Sequence, residues 1–195
     1  LANPSDLSAR ITDDEGMVIT ALEQRLAETD RAKFIYVVPD FQNPSGRTWS
    51  RHRREQFMAV VRRTGIPVIE DCPYAEIRFE GETMPPLISH EGGELVVYLG
   101  TFSKTFCPGL RLGWLTADAD LHSRYVMVKQ GADLHTSTLS QMQLARYLQD
   151  FDLDAAIAEI TELYRRRCDV MLETMAGSFP ESVHWTRPEG GLFLW

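Results

Sequence analysis

Polar and ionisable side chains follow three short apolar runs in this sequence, at the point where each run ends. The runs cover residues 34–38, 66–69 and 95–99. Continuous apolar runs of this length are typical of strands that are buried in a parallel sheet. Ligands of open α/β sheets bind at the carboxyl ends of the strands, so neighbouring runs would bring the residues behind them to one crevice. These residues are Asn43 after the first run, Asp71 and Tyr74 after the second, and Thr101, Ser103, Lys104 and Arg111 after the third.

Lys104 could form a Schiff base with an aldehyde. Its amine must then be deprotonated part of the time, which partial burial and a cationic neighbour promote. Arg111 lies seven residues further along and could be that neighbour. An isolated lysine at the end of a strand is more often a plain surface residue, so the hypothesis depends on the residues around Lys104.

An aromatic ring that carries a nitrogen and a phenolate oxygen could be bound by the side chains of Asp71, Tyr74 and Asn43. The carboxylate of Asp71 could keep a pyridine nitrogen protonated, so that the ring remains an electron sink. Tyr74 and Asn43 could each donate a hydrogen bond to the phenolate. Taken singly, a turn aspartate, a packed tyrosine and a turn asparagine are the more common interpretations.

Thr101, Ser103 and Arg111 could bind a phosphate group. Hydroxyls form short hydrogen bonds to phosphate oxygens, and a guanidinium group presents a planar fork of donors that matches them. The alternative is that these are loop hydroxyls and a surface arginine.

The elements around these residues alternate between strand and helix, which predicts an α/β sandwich with a largely parallel sheet. Apolar spacing predicts helices over 18–28, 118–130, 137–149 and 154–175, and a further helix capped by Ser50 that runs to Arg63. The segment 112–116 is expected to be a short return strand. Residues 183–185 and 190–195 are expected to be strands of a second domain.

Together these segments resemble a known family. Residues 100–114 resemble the lysine motif of fold type I pyridoxal 5'-phosphate (PLP) enzymes, the class I/II aminotransferases. Residues 41–46 are similar to the family's Asn-Pro-(Thr/Ser)-Gly loop, and residues 71–74 are similar to its Asp-x-x-Tyr motif. Residues 188–195 resemble a strand of the family's small domain, so the resemblance covers nearly the whole chain.

The resemblance implies a role for each candidate residue. Lys104 would carry PLP as a Schiff base and move the proton between the substrate Cα and C4' of the cofactor, and Asp71 would pair with the ring nitrogen. Asn43 and Tyr74 would contact the phenolate oxygen, and Asn43 would also help to position the substrate carboxylate. Thr101, Ser103 and Arg111 would hold the phosphate.

The resemblance also implies the architecture. We expect a three-layer αβα sandwich, the PLP-binding large domain, over residues 1–150. A linking helix and the start of a small α+β domain would occupy residues 151–195. The family's phosphate loop and ring-stacking residue would lie upstream, and its arginine for the substrate carboxylate would lie downstream. The sequence also lacks a starting Met, and residues 190–195 read like a strand that is cut short, so we expect a fragment of a longer protein.

The expected function is transfer of an amino group between an amino acid and a 2-oxo acid by a homodimer. Residues 41–44 and 71–74 look most like the branch that acts on 2-aminoadipate, aromatic and branched-chain substrates. One alternative is the aminotransferase-like effector domain of a helix-turn-helix transcription regulator, although the intact Asn43 loop favours an enzyme. Another PLP-dependent reaction, such as β-elimination or decarboxylation, is also open.

Composition limits the partners and the compartment. The 195 residues carry a net charge of −8, which argues against nucleic acid as a partner because its backbone is also negative. No apolar run approaches the roughly 18 residues that would cross a membrane. The three widely spaced cysteines favour neither a disulfide framework nor a zinc site, so we expect a cytoplasmic protein.

Overall fold

The structure is a computed structural model, and it describes residues 12–195. The start of the chain at Leu1, on which part of the fragment hypothesis depends, falls outside this range. The strands are β1 (Thr12–Asp13), β2 (Gly16–Met17), β3 (Ile35–Val37), β4 (Val68–Asp71), β5 (Val96–Thr101) and β6 (Gly113–Thr116). The helices are α1 (Ile19–Ala27), α2 (Arg51–Thr64), α3 (Ala119–Ala132), α4 (Thr138–Asp150) and α5 (Leu153–Ser178).

The central sheet has the strand order β3-β4-β5-β6. The strands β3, β4 and β5 run parallel, and β6 returns antiparallel to β5. Asp71 at the end of β4 lies opposite Leu99, and Thr101 at the end of β5 lies opposite Gly113. The expectation that the three apolar runs are neighbouring parallel strands is therefore confirmed, and their carboxyl ends lie at one edge of the sheet.

Helix α2 begins and ends where local chemistry dictates. The Ser50 side chain accepts a hydrogen bond from the Arg53 backbone N–H at 3.2 Å, which satisfies one free donor of the first turn. Gly65 ends the helix in a left-handed conformation, with φ at 66°, which costs glycine little because it has no Cβ. The predicted helix is confirmed at both ends to within one residue.

One face of the sheet packs against α1 and α2. Side chains alternate between the two faces of a strand, so residues 35 and 37 of β3 point toward the helices while Tyr36 points to the other face. The buried core between sheet and helices includes Leu22, Ile35, Val37, Phe57, Met58, Val60, Val61, Val68 and Val96. On the other face, Tyr36 is half-exposed and Asp71 is partly buried, so this face presents polar groups.

A buried ion pair fixes the loop between β3 and α2. The Arg54 guanidinium donates to Asp40 at 2.8 Å, and both side chains are buried. Arg54 also donates to the backbone oxygens of Trp49 and Pro39 at 3.2 and 3.4 Å. A buried charge is tolerated only with such partners, so the pair binds helix α2 to the loop that carries Asn43.

The segment after α5 differs from the sequence prediction. Residues 183–185 and 190–195 were expected to be strands, and in the structure neither segment is one. The Thr186 N–H donates to the Trp195 oxygen at 2.8 Å, and Gly190 forms an isolated bridge with Arg78. A strand requires a ladder of such pairs, and single bonds do not make one.

No helix within residues 12–195 is both long and apolar enough to cross a membrane.

Candidate functional site

Lys104 lies in a tight turn that follows β5. The backbone N–H groups of Phe106 and Cys107 both donate to the Phe102 oxygen at 3.0 Å, and they close the turn around the lysine. The ring of Tyr147 on α4 packs on Phe106 with 4.4 Å between centroids. Lys104 is partly buried, and within residues 12–195 its amine has neither a hydrogen bond nor an ion pair. The fold therefore holds the backbone at Lys104 while its amine stays available for reaction.

The phosphate-binding candidates surround this turn. The Thr101 hydroxyl donates to the Leu112 oxygen at 3.2 Å and accepts from the Ser103 N–H at 3.1 Å. A hydroxyl has a single proton, so Thr101 would have to release Leu112 before it could donate to a phosphate. Arg111 is exposed in a left-handed conformation, and its Nη1 donates to the Pro108 oxygen at 3.2 Å. The hydroxyl of Ser103 and the other N–H groups of Arg111 are the more accessible donors.

Asp71 ends β4 with one of its two carboxylate oxygens already engaged. The Tyr36 hydroxyl donates to Oδ2 of Asp71 at 2.6 Å. In the described part of the chain, Oδ1 has no hydrogen-bond donor. Tyr36 is not among the residues that the sequence singled out, since a tyrosine within an apolar run is expected to pack in the core.

Tyr74 and Asn43 come together beside Asp71. Burial raises the pKa of the Tyr74 phenol, a hydrogen bond with Asn43 opposes that shift, and the charge of Asp71 adds to it. The Tyr74 side chain is only 7% exposed, and the ring of Phe193 packs edge-on against it with centroids 5.2 Å apart. Asn43 is exposed, and its peptide bond to Pro44 is cis. Two of the three loops thus meet through side-chain contacts.

The C-terminal segment packs on the Asn43 loop. A Cβ atom at Gly190 would lie 2.4 Å from the ring of Phe41, and one at Gly191 would lie 2.4 Å from the Phe41 Cβ. Only glycine leaves space for that ring at these two positions. The Arg78 guanidinium stacks on the same ring at 4.7 Å and forms an ion pair with Glu189 at 3.0 Å.

The candidate residues therefore form two groups on adjacent strands. Tyr74 forms a hydrogen bond with Asn43 and feels the charge of Asp71, while Thr101, Ser103 and Lys104 lie at the end of β5 and in the turn after it. Arg111 follows the next helical turn, Pro108–Leu110, and within residues 12–195 no hydrogen bond or ion pair joins it to the other candidates. The candidate groups are an amine and a carboxylate oxygen that have no partner within residues 12–195, together with hydroxyls and a guanidinium group. This set fits a flat cofactor that has an aldehyde, a ring nitrogen and a phosphate.

A mixed α/β sheet with a lysine and an aspartate behind the carboxyl ends of neighbouring strands has the geometry of a ligand site in open α/β proteins. Residues 7–195 match the family of class I and II aminotransferases. The chain belongs to that family.

Named relatives and solved structures agree with this membership. The chain is 38% identical over 94% of its length to aromatic-amino-acid aminotransferase 1 of Thermococcus litoralis and 36% identical over 93% to 2-aminoadipate transaminase of Thermus thermophilus. It also aligns over 94% of its length with the kynurenine aminotransferase of Pyrococcus horikoshii, with a TM-score of 0.89 and 38% identity. That enzyme was crystallised with PMP. The prediction of the PLP-dependent transferase fold is confirmed.

The matched region covers only part of each relative. The chain spans 45% and 46% of the two curated aminotransferases and 46% of the crystallised one. It is also 30% identical, over 94% of its length, to an HTH-type transcriptional regulator of Bacillus subtilis, of which it spans 38%. Family membership therefore covers enzymes and regulators.

Proposed function

We propose that the protein is a PLP-dependent aminotransferase whose cofactor is bound covalently by Lys104. The observation that carries the proposal is the placement of Lys104: its amine has no partner in the described structure, and it follows the strand next to the one that Asp71 ends. The aminotransferases named above support the same function.

Each candidate residue has a task that its surroundings allow. When bound, the cofactor withdraws electrons from the Cα of an amino acid. The amine of Lys104 would hold the group and would accept and return the proton of Cα. Asp71 would place its open Oδ1 at the ring nitrogen and stabilise positive charge there. Asn43 and Tyr74 would donate to the phenolate oxygen, Asn43 would also orient the substrate carboxylate, and Thr101, Ser103 and Arg111 would hold the phosphate.

The substrates in this proposal are an amino acid donor and a 2-oxo acid acceptor. Two of the named relatives carry names that refer to aromatic amino acids and to 2-aminoadipate, and these names favour the same branch as residues 41–44 and 71–74. The proposal includes a homodimer in the cytoplasm. It assigns residues 1–150 to the PLP-binding domain and residues 151–195 to the linking helix and the start of the small domain.

A second candidate is the effector domain of a helix-turn-helix transcription regulator. The similarity to the Bacillus subtilis regulator favours it. A regulator of this kind would bind PLP through Lys104 and lack efficient amino-group transfer. The intact Asn43 loop, with the hydrogen bond between Asn43 and Tyr74, supports the enzyme, because many such regulators look altered in this loop.

The test uses the full-length protein, PLP, a panel of amino acid donors and 2-oxoglutarate. We expect donor-dependent formation of glutamate, and borohydride should attach the cofactor to Lys104. Peptide mapping distinguishes Lys104 from Lys33 and Lys129, the other lysines of these 195 residues, and from any further lysine of the full-length protein. Lys104→Ala should abolish both results, whereas the control Lys129→Ala, which removes only an exposed ion pair with Asp133, should leave them intact.

The outcomes separate the candidate functions. Trapping at Lys33 or Lys129 would contradict the site. Trapping at Lys104 without glutamate from any donor would favour the regulator or another PLP-dependent reaction.

A further inference from the structure

We propose that Tyr36 is a positioning residue that holds the carboxylate of Asp71 in one orientation, so that its second oxygen meets the ring nitrogen of the cofactor. The inference rests on the proposed function, because it concerns the same site. It adds a residue from β3 to a site that the sequence built only from the loops after the strands.

The sheet register places Tyr36 where it can reach Asp71. Tyr36 lies opposite Ile69, and Asp71 comes two residues after Ile69 on the same strand. Alternate residues of a strand share a face, so Tyr36 and Asp71 project from the same side of the sheet. The distance of 2.6 Å between the Tyr36 hydroxyl and Oδ2 lies in the range of hydrogen bonds to charged oxygens.

The face from which Tyr36 projects argues that the hydroxyl, and not the ring, is what this position uses. The two neighbours on β3, Ile35 and Val37, are buried in the core against α1 and α2. Tyr36 projects from the opposite face of the sheet, so its ring is not part of that core. Its hydroxyl reaches the carboxylate of Asp71.

The electrostatics favour a neutral donor next to a charged acceptor. Burial, the hydrogen bond to Asp71 and the negative charge of Asp71 all raise the pKa of the Tyr36 phenol well above its ordinary value, so it keeps its proton at working pH. A hydrogen bond to the charged form of an acid stabilises that form. It also stops the carboxylate from rotating about its Cβ–Cγ bond, which leaves Oδ1 directed away from Tyr36.

Loss of the hydroxyl should therefore act through Asp71. The carboxylate would be free to rotate, so Oδ1 would no longer be held in place to stabilise positive charge on the ring nitrogen. The ring nitrogen would then carry less positive charge, and the cofactor would bind less tightly.

The test compares full-length wild type with Tyr36→Phe, each loaded with PLP that carries ¹⁵N in the ring. We expect the ring ¹⁵N signal of the variant to move toward that of neutral pyridine and the dissociation constant for PLP to rise about tenfold, as for a lost hydrogen bond to a charged group. Tyr125→Phe is the matched control, because Tyr125 lies on α3 and its hydroxyl has no hydrogen-bond partner within residues 12–195. Equal unfolding midpoints without PLP would show that the fold is unchanged.

The same change in a variant that lacks the Asp71 carboxylate shows whether Tyr36 acts through Asp71 or affects the cofactor in another way. With Asp71→Ala and saturating PLP, the further change Tyr36→Phe should leave the ¹⁵N signal where it is. A wild-type ¹⁵N signal and affinity in Tyr36→Phe would overturn the inference, and so would an effect of equal size in the Asp71→Ala background. If wild type itself does not bind PLP through Lys104, the proposed function fails, and the inference fails with it.

Discussion

The position of some residues of the candidate site could be predicted from the sequence alone, and the position of others could not. Lys104 and Asp71 could be placed because each follows an apolar run that forms a strand, and position in a strand is a local property. Tyr36 could not, because its partner lies 35 residues away and a tyrosine inside an apolar run has the pattern of a core residue. The roles of all seven candidates remain predictions, while their places at the ends of three adjacent strands are now fixed.

The contact between Tyr74 and Asn43 leads to a prediction about acidity. If both side chains donate to the phenolate oxygen, they stabilise negative charge beside the C=N bond that Lys104 forms with the cofactor. The nitrogen of that bond then loses its proton more easily. Removing one donor to a charged acceptor costs about 1–3 kcal/mol, which corresponds to a rise in that pKa of on the order of one to two units. Tyr74→Phe in the full-length protein should therefore shift the visible absorbance change to higher pH in a spectrophotometric titration.

The Tyr74→Phe change removes the hydroxyl and keeps the packing of the aromatic ring. Phenylalanine at position 74 can retain the edge-on contact with Phe193, so only the hydroxyl is lost. Tyr164→Phe on α5 should leave the titration at its wild-type pH. A Tyr74→Phe midpoint that stays in place or moves to lower pH would mean that Tyr74 only packs in the core.

Helices and strands also differ in how far they could be predicted from the sequence alone. Helix α2 could be predicted at both ends because Ser50 and Gly65 act on backbone groups within the adjacent turn. The expected strands at 183–185 and 190–195 could not be settled locally, because a strand depends on a partner elsewhere in the chain. The hairpin of β1 and β2 was also missed, since strands of two residues are too short to show an alternating pattern.

The cap of α2 leads to a prediction about stability. Ser50→Ala removes the acceptor of the Arg53 N–H, and the loss of such a cap lowers the free energy of unfolding by about 1 kcal/mol. Urea denaturation of the full-length protein measures this difference. Ser50→Asp should keep most of the stability, because aspartate caps as well as serine does. Equal losses in both variants would show that the cap contributes nothing and that the serine is needed for another reason.

At the scale of the whole molecule, a chain of charges connects distant parts of the sequence. Arg54 on α2 pairs with Asp40, Asp40 also accepts from Arg78 at 3.5 Å, and Arg78 pairs with Glu189. The sequence does not reveal this network, since arginines are mostly exposed and nothing in the pattern of α2 separates Arg54 from the exposed Arg51. This network of ion pairs joins α2, the Asn43 loop and the C-terminal segment.

The buried ion pair of Arg54 and Asp40 should contribute far more to the free energy of unfolding than an ion pair on the surface. Arg54→Met leaves Asp40 buried with only the longer contact to Arg78, and removing one partner of a buried pair costs roughly 3–5 kcal/mol. Arg25→Met is the control, since its pair with Glu28 is largely exposed and such pairs contribute about 0–1 kcal/mol. Denaturant unfolding of the two full-length variants decides the question. Similar losses in both would contradict the view that the Arg54 pair holds the loop.

The contact between Arg78 and Glu189 also has a consequence for synthesis. The two residues are 111 positions apart in the chain, and a ribosome that adds about 5–20 residues per second needs on the order of ten seconds to join them. When the interval begins the nascent chain already contains α2 and β4, and β5 follows, but the ring of Phe41 has no glycine pair against it. The loop that carries Asn43 therefore acquires its final packing only after translation has passed Gly191, and until then it presents an uncovered aromatic surface to chaperones and proteases.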